Sequence, residues 1–162
     1  MNPQRDTRGN YGRGGNANPG RDNRDRQTPE EAAMNEATTF FNSLTFKSSW
    51  ITNEIDKDFT DYAEKVGAFM AKKKLTNSKI RSIYGEMKRI QMGQFEKEKA
   101  SFYLLRPKVA YALGRERKNV GLCVFKLLFD KCSEYVTDTK SFNNFALMFE
   151  AVLAYHRANG GD

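Results

Sequence analysis

Histidine is nearly absent from this chain of 162 residues: His156 is the only one. Catalysis near neutral pH draws mostly on histidine, poised cysteine or converging carboxylates. His156 falls near the end of a helical segment, where a bond to helix carbonyls or a neighbouring side chain suits it better than proton transfer. Cysteine is scarce too. Cys123 and Cys132 stand nine residues apart, which on one helix points them to opposite sides and prevents a bridge between them. They read as two reduced, partly buried thiols of a cytosolic protein. Apolar runs such as Val109-Ala110-Tyr111-Ala112-Leu113 are far short of the roughly 20 residues of a membrane span. The N-terminus is polar where a secretory signal needs an apolar stretch, so a cytoplasmic location is expected.

Catalytic and cofactor motifs are missing as well. There is no HExxH, paired CxxC, Walker loop or GxGxxG. Gly12-x-Gly14-Gly15 follows no strand and is not a phosphate loop. Glu54, Asp56, Asp58, Asp61 and Glu64 do not recur on one helix side, so they read as a solvated face rather than a metal site. The expectation is a protein that is not an enzyme and holds no metal or cofactor.

What is abundant is positive charge, and it is unevenly placed. The net charge is +7, which favours nucleic acid or another anionic partner. Residues 1–27 carry six arginines against three aspartates, and residues 28–71 carry three basic side chains against eight acidic ones. Residues 72–118 then hold fourteen basic and four acidic side chains, and residues 119–162 hold four and five. The central third is therefore the basic one.

Residues 1–27 lack any periodic apolar pattern and cannot bury enough surface to offset their ordering entropy, so a disordered tail is expected. Arg8-Gly9, Arg13-Gly14-Gly15 and Tyr11 suit weak contact with single-stranded RNA; a solubilising tail is the alternative. Residues 28–162 form one domain. Thr28-Pro29-Glu30-Glu31 is a capping box with proline in the first turn, opening a helix to about Asn42. Residues 46–52, with Trp50, read as a short helix or a packed loop. Asp56 or Lys57 opens a helix with Phe59, Tyr62, Ala63, Val66, Phe69 and Met70 at helical spacing, closed by Lys72-Lys73-Lys74.

Thr76 or Asn77 caps the next helix, with Ile80, Ile83, Tyr84, Met87 and Ile90 on one face. Residues 94–105 form another, and Pro107 predicts a kink or a fresh helix start. Helices over Val120–Val136 and from a Ser141 cap to Asn159-Gly160-Gly161 complete the chain. No stretch alternates as a strand. The fold expected is all-α, a single compact bundle of five to six helices.

At 100° per residue, Ser78, Arg81, Gly85 and Lys88 form one stripe, with Arg89 just beyond. Lys108, Tyr111, Ala112, Arg115 and Lys118 form another. Cations spaced by small residues admit a phosphate backbone, and an interleaved aromatic adds a stacking surface. Each stripe alone also reads as an ordinary solvated face.

Leu75-Thr76-Asn77-Ser78-Lys79-Ile80-Arg81, with Tyr84-x-Glu86-Met87-Lys88-Arg89-Ile90, resembles the small subunit of type III-A CRISPR effector complexes, the Csm small subunit. So do Leu104-Leu105-Arg106-Pro107-Lys108-Val109-Ala110-Tyr111-Ala112-Leu113-Gly114-Arg115 and the closing Phe142-x-x-Phe145 through His156. The likeness spans residues 55–158, and residues 1–50 have no counterpart. Asn77 and Lys79 stand where the family often has Thr and Gln, and Arg106 where it often has Lys.

The resemblance implies a helical bundle present in several copies, stacked along a guide RNA–target RNA duplex beside other subunits that carry the chemistry. Arg81, Lys88, Arg106, Lys108 and Arg115 fall on its motif positions and, with Arg89 and Tyr111, are the candidate RNA contacts. For Arg115 a helix cap, and for Arg106 an acidic partner, are the alternatives. A free-standing helical DNA-binding regulator would want a clear helix-turn-helix, and an adaptor without RNA would bind acidic protein surfaces; both are the competing classes.

Overall fold

The computed structural model describes residues 26–161, so the expected tail over 1–27 lies almost wholly outside it. Seven α-helices form among the described residues: α1 Pro29–Asn42, α2 Ser49–Thr52, α3 Lys57–Lys72, α4 Asn77–Met92, α5 Lys99–Arg115, α6 Val120–Ser133 and α7 Thr139–Ala158. A 3₁₀ turn at Phe95–Lys97 links α4 to α5, and no strand occurs among these residues. The all-α expectation holds, with residues 46–52 supplying the extra short helix.

The helix ends follow local chemistry. Thr28 Oγ1 accepts from Glu31 N at 3.2 Å while Glu31 Oε2 accepts from Thr28 N at 2.8 Å, the reciprocal box expected. Asp56 caps α3 through Phe59 N at 3.1 Å and also accepts from Trp50 Nε1 at 2.7 Å, tying α2 to the start of α3. The far end of α3 closes with Leu75 N bonded to the Met70 carbonyl and Lys74 N to that of Ala71. Lys74 takes a left-handed φ of 57° to do so. This is a Schellman turn without glycine, and burial of Leu75 at its second residue past the cap supports it.

Three expectations need correction. α5 runs unbroken through Pro107. The proline is on the exposed side of the helix, so water can take the carbonyl left without its amide donor, and the buried face stays regular. Helix α5 therefore replaces the pattern of a helix over 94–105 that ends before Pro107. The last helix is capped by Asp138, not Ser141. Asp138 Oδ1 accepts from Ser141 N at 2.8 Å and Ser141 Oγ accepts from Asp138 N at 3.0 Å, so Ser141 is the return arm of the box. Helix α6 stops at Ser133 rather than Val136.

Helix α7 is the centre of the bundle, with α3 packed most extensively along it. Gly67 permits that approach: a Cβ there would lie 2.6 Å from the Val152 carbonyl oxygen and 2.7 Å from His156 N. Phe142, Phe145 and Phe149 of α7 interlock with Phe125 and Phe129 of α6 and Phe102 of α5, all buried. Each contributes about 1.5–3 kcal/mol by leaving water. The lone histidine is wholly buried here, its Nε2 2.6 Å from the Leu75 carbonyl. Nε2–H donates to that oxygen, so His156 pins the turn between α3 and α4. It has a structural task, as its position near the helix end implied.

The α1–α2 region belongs to the same core. Ala33 and Ala37 are buried in the packing of α1 on α6, Phe40 stacks on Phe69 at 3.7 Å, and Trp50 and Ile51 are fully enclosed.

Candidate nucleic-acid interface

Helix α5 is apolar on two sides, and this creates the site. Phe102, Leu105, Val109 and Leu113 point into the core, while Tyr103, Leu104, Pro107 and Tyr111 remain in solvent. The α4-facing shoulder of α5 and the adjoining flank of α4 enclose a groove of about 780 Å³. Leu104, Pro107, Lys108, Tyr111 and Arg115 line it from α5, and Ser78, Lys79 and Ser82 line it from α4. The Arg115 guanidinium stands 5.9 Å from the centre of the Tyr111 ring, so the arginine lies beside the still-exposed ring instead of capping the helix.

Glu86 of α4 binds α5 across this seam. Its Oε2 lies 3.5 Å from Lys108 Nζ and 3.3 Å from Arg89 Nε, and Arg89 also reaches Glu98 at 3.1 Å. Also on the groove wall, Lys79 pairs with Glu116, joining the start of α4 to the residue that follows α5. At the Arg115 end the groove opens toward a second concavity of about 520 Å³ lined by Arg115, Arg117, Lys118, Lys73 and Glu30. There the start of α1 meets the basic loop, with Lys118 3.7 Å from Glu30.

The seven candidate contacts do not share one surface. Lys108, Tyr111 and Arg115 converge in the groove. Lys88 sits on the opposite shoulder of α4, facing α7, where it donates to Glu150 at 2.6 Å and lies 5.6 Å from the Tyr84 ring centre. Glu150 raises its pKa above the ordinary lysine value, so its charge is already matched within the fold. Arg81 occupies the same stripe two turns earlier, exposed and without an acidic partner among the described residues. Arg89 is tied to Glu98 and Glu86, which raise its pKa. Arg106 projects toward α6, 3.6 Å from Asp130 and still 74% exposed, so the acidic partner considered for it is present.

Lys79, Ser82, Leu104 and Pro107 also line the groove, and the sequence pattern does not mark them as contacts. Leu104 had a readable signal: it is a large apolar residue out of phase with the Phe102–Leu105–Val109–Leu113 face. Lys79 had none, because its place depends on which flank of α4 meets α5. Among the described residues no cluster of three or more His, Cys, Asp or Glu could hold a metal ion, and no helix is long and apolar enough to cross a membrane. Burial pushes the thiols of Cys123 and Cys132 above the ordinary range, so neither is a poised nucleophile.

A family model described as Csm2 Type III-A matches residues 53–162. No curated protein and no solved structure matches. The matched span contains the whole groove and all seven candidate residues.

Proposed function

The chain belongs to the Csm2 family of type III-A CRISPR effector subunits, and from that premise we propose that it is a non-catalytic, cytoplasmic small subunit that holds the backbone of guide and target RNA in the α4–α5 groove. It works in several copies beside the other subunits of the effector complex. The observation that carries this reading is the convergence of Lys108, Arg115 and Tyr111 on one groove within the segment holding fourteen of the chain's basic side chains. Cations there neutralise phosphates and release counterions, which gives affinity largely independent of sequence.

The test is RNA binding by the full chain across a salt series. Lys108→Ala and Arg115→Ala should each weaken binding to unrelated RNA sequences alike and flatten the log–log salt slope by somewhat under one unit. Lys126→Ala and Lys131→Ala, whose ammonium groups already pair with Asp130 and Glu134, should change little. Arg81→Ala separates the two stripes: with the groove as the single RNA surface it behaves like the controls. Losses in the two controls equal to those in the groove variants would mean diffuse binding and overturn the assignment.

A further inference from the structure

Phosphate neutralisation leaves part of the groove unexplained. A surface that meets only a charged backbone has no use for an open tyrosine and leucine, yet Tyr111 is 68% exposed and Leu104 59% exposed. Both line the same cavity as Pro107. Its volume, about 780 Å³, falls in the ~300–1,000 Å³ range of small-molecule sites. Resting on the RNA-binding reading, we propose that this groove is a pocket for an unpaired RNA base, which stacks on Tyr111 while Lys108 and Arg115 hold the flanking phosphates.

The chemistry of the walls fits that occupant. Leu104 and Pro107 give the planar ring an apolar floor. Arg115 lies against the Tyr111 ring, where its planar guanidinium extends the stacking surface. Ser78 and Ser82 offer small hydroxyls, each both donor and acceptor, to a base edge. Lys79 and Glu116 are already paired with each other, so the wall makes no strong demand for one base. The pocket is therefore tolerant of sequence and selective for structure. In a duplex the bases are stacked and paired, and reaching the pocket would cost their unstacking.

The experiment compares the full chain on a single-stranded RNA containing 2-aminopurine and on a blunt RNA duplex of the same sequence. Tyr111→Leu should lose about 5- to 20-fold in affinity for the single strand, keep the wild-type salt slope, and bind the duplex as wild type does. Tyr111→Phe should retain affinity, since it retains the ring. Ser82→Phe, an exposed α4 substitution that fills the groove without removing charge, should reproduce the single-strand loss. The 2-aminopurine fluorescence should be quenched by wild type and not by Tyr111→Leu.

Equal affinity of Tyr111→Leu and wild type for the single strand would overturn the base pocket. If Lys108→Ala and Arg115→Ala still weaken that RNA, the backbone reading stands without it. Failure of wild type to bind either RNA removes both. Normal RNA binding by Tyr111→Leu together with failure to enter the effector complex would assign the strip to a protein partner instead, and the pocket would fall.

Discussion

Replacing Gly67 by alanine tests the packing on which the whole bundle rests. In an exposed helix interior, Gly→Ala stabilises by roughly 0.5–1 kcal/mol, because glycine loses more backbone freedom on folding. At Gly67 that gain is outweighed. The new Cβ would lie 2.6 Å from the Val152 carbonyl oxygen, 2.7 Å from His156 N and 2.8 Å from Tyr155 Cβ. Two of these are backbone atoms of α7, which cannot turn aside as a side-chain end would. Helices α3 and α7 must part, and Ala63, Val66 and Met70 lose contact along with them. Overpacking of this kind costs about 1–3 kcal/mol, and parting the largest helix pair puts Gly67→Ala in the upper half, a net loss of about 2 kcal/mol.

Gly85, in the middle of α4, is the internal control: a Cβ there meets nothing within 4 Å. Gly85→Ala should gain roughly 0.5–1 kcal/mol. At about 2–4 °C per kcal/mol for a domain of this size, helical circular dichroism should show Gly67→Ala melting about 4–8 °C below wild type and Gly85→Ala about 1–4 °C above it. Two shifts of the same sign would refute the close approach of α3 to α7.

Removal of residues 1–27 should leave melting temperature and helicity unchanged, whereas removal of residues 1–52 should abolish cooperative melting, since Ala37, Trp50 and Ile51 would leave a core they fill completely. Acid should act through capping carboxylates. The Asp56 carboxyl is held below its usual range, first by Lys47 and then by Trp50 and the Phe59 amide, and that of Asp138 by the Ser141 amide and hydroxyl. A carboxyl depressed by folding adds stability that is complete above its ordinary pKa near 4 and is lost as the pH falls through the depressed value. Asp56→Asn should therefore melt below wild type near neutral pH, and the gap should close progressively below about pH 4; a gap independent of pH would contradict the role of Lys47.

Helices announced by both a cap and an apolar period were legible in the sequence. Thr28-Pro29-Glu30-Glu31 started α1, Asp56 started α3, and Asn159-Gly160 ended α7. Signals that depend on exposure were not. Proline breaks a helix when the carbonyl it orphans is buried, and only packing could show that Pro107 faces water. Ser141 and Asp138 are both good caps, and a sequence cannot say which is the N-cap until the backbone at Asp138 is seen to be extended. The α1–α2 region precedes the likeness to the family and also its matched span, which begins at residue 53. Nothing in the pattern of Phe40, Phe46 and Trp50 revealed that they pack on Phe69, Tyr62 and Phe59.

The candidate site divides along the same line. A helical wheel places residues relative to their own axis, so Lys108, Tyr111 and Arg115 could be grouped from sequence, and the structure keeps them together. The wheel holds no information on which shoulder of α4 meets α5 and which meets α7. Four residues settle that question: Glu86 reaches Lys108 on one side of α4, and Lys88 reaches Glu150 on the other. On the proposed reading a count of cations does not by itself locate the nucleic-acid surface, because Lys88 and Arg89 are paired with Glu150, Glu86 and Glu98 within the fold. An exposed ion pair of this kind adds little to stability but lowers the field a phosphate meets. Within the groove Lys79 is paired with Glu116, while Lys108, 3.5 Å from a carboxylate it shares with Arg89, and Arg115, against an aromatic ring, are held more loosely. On the proposed reading the charge of Lys108 and Arg115 serves RNA phosphates, and the exposed tyrosine between them offers a base a face to stack on.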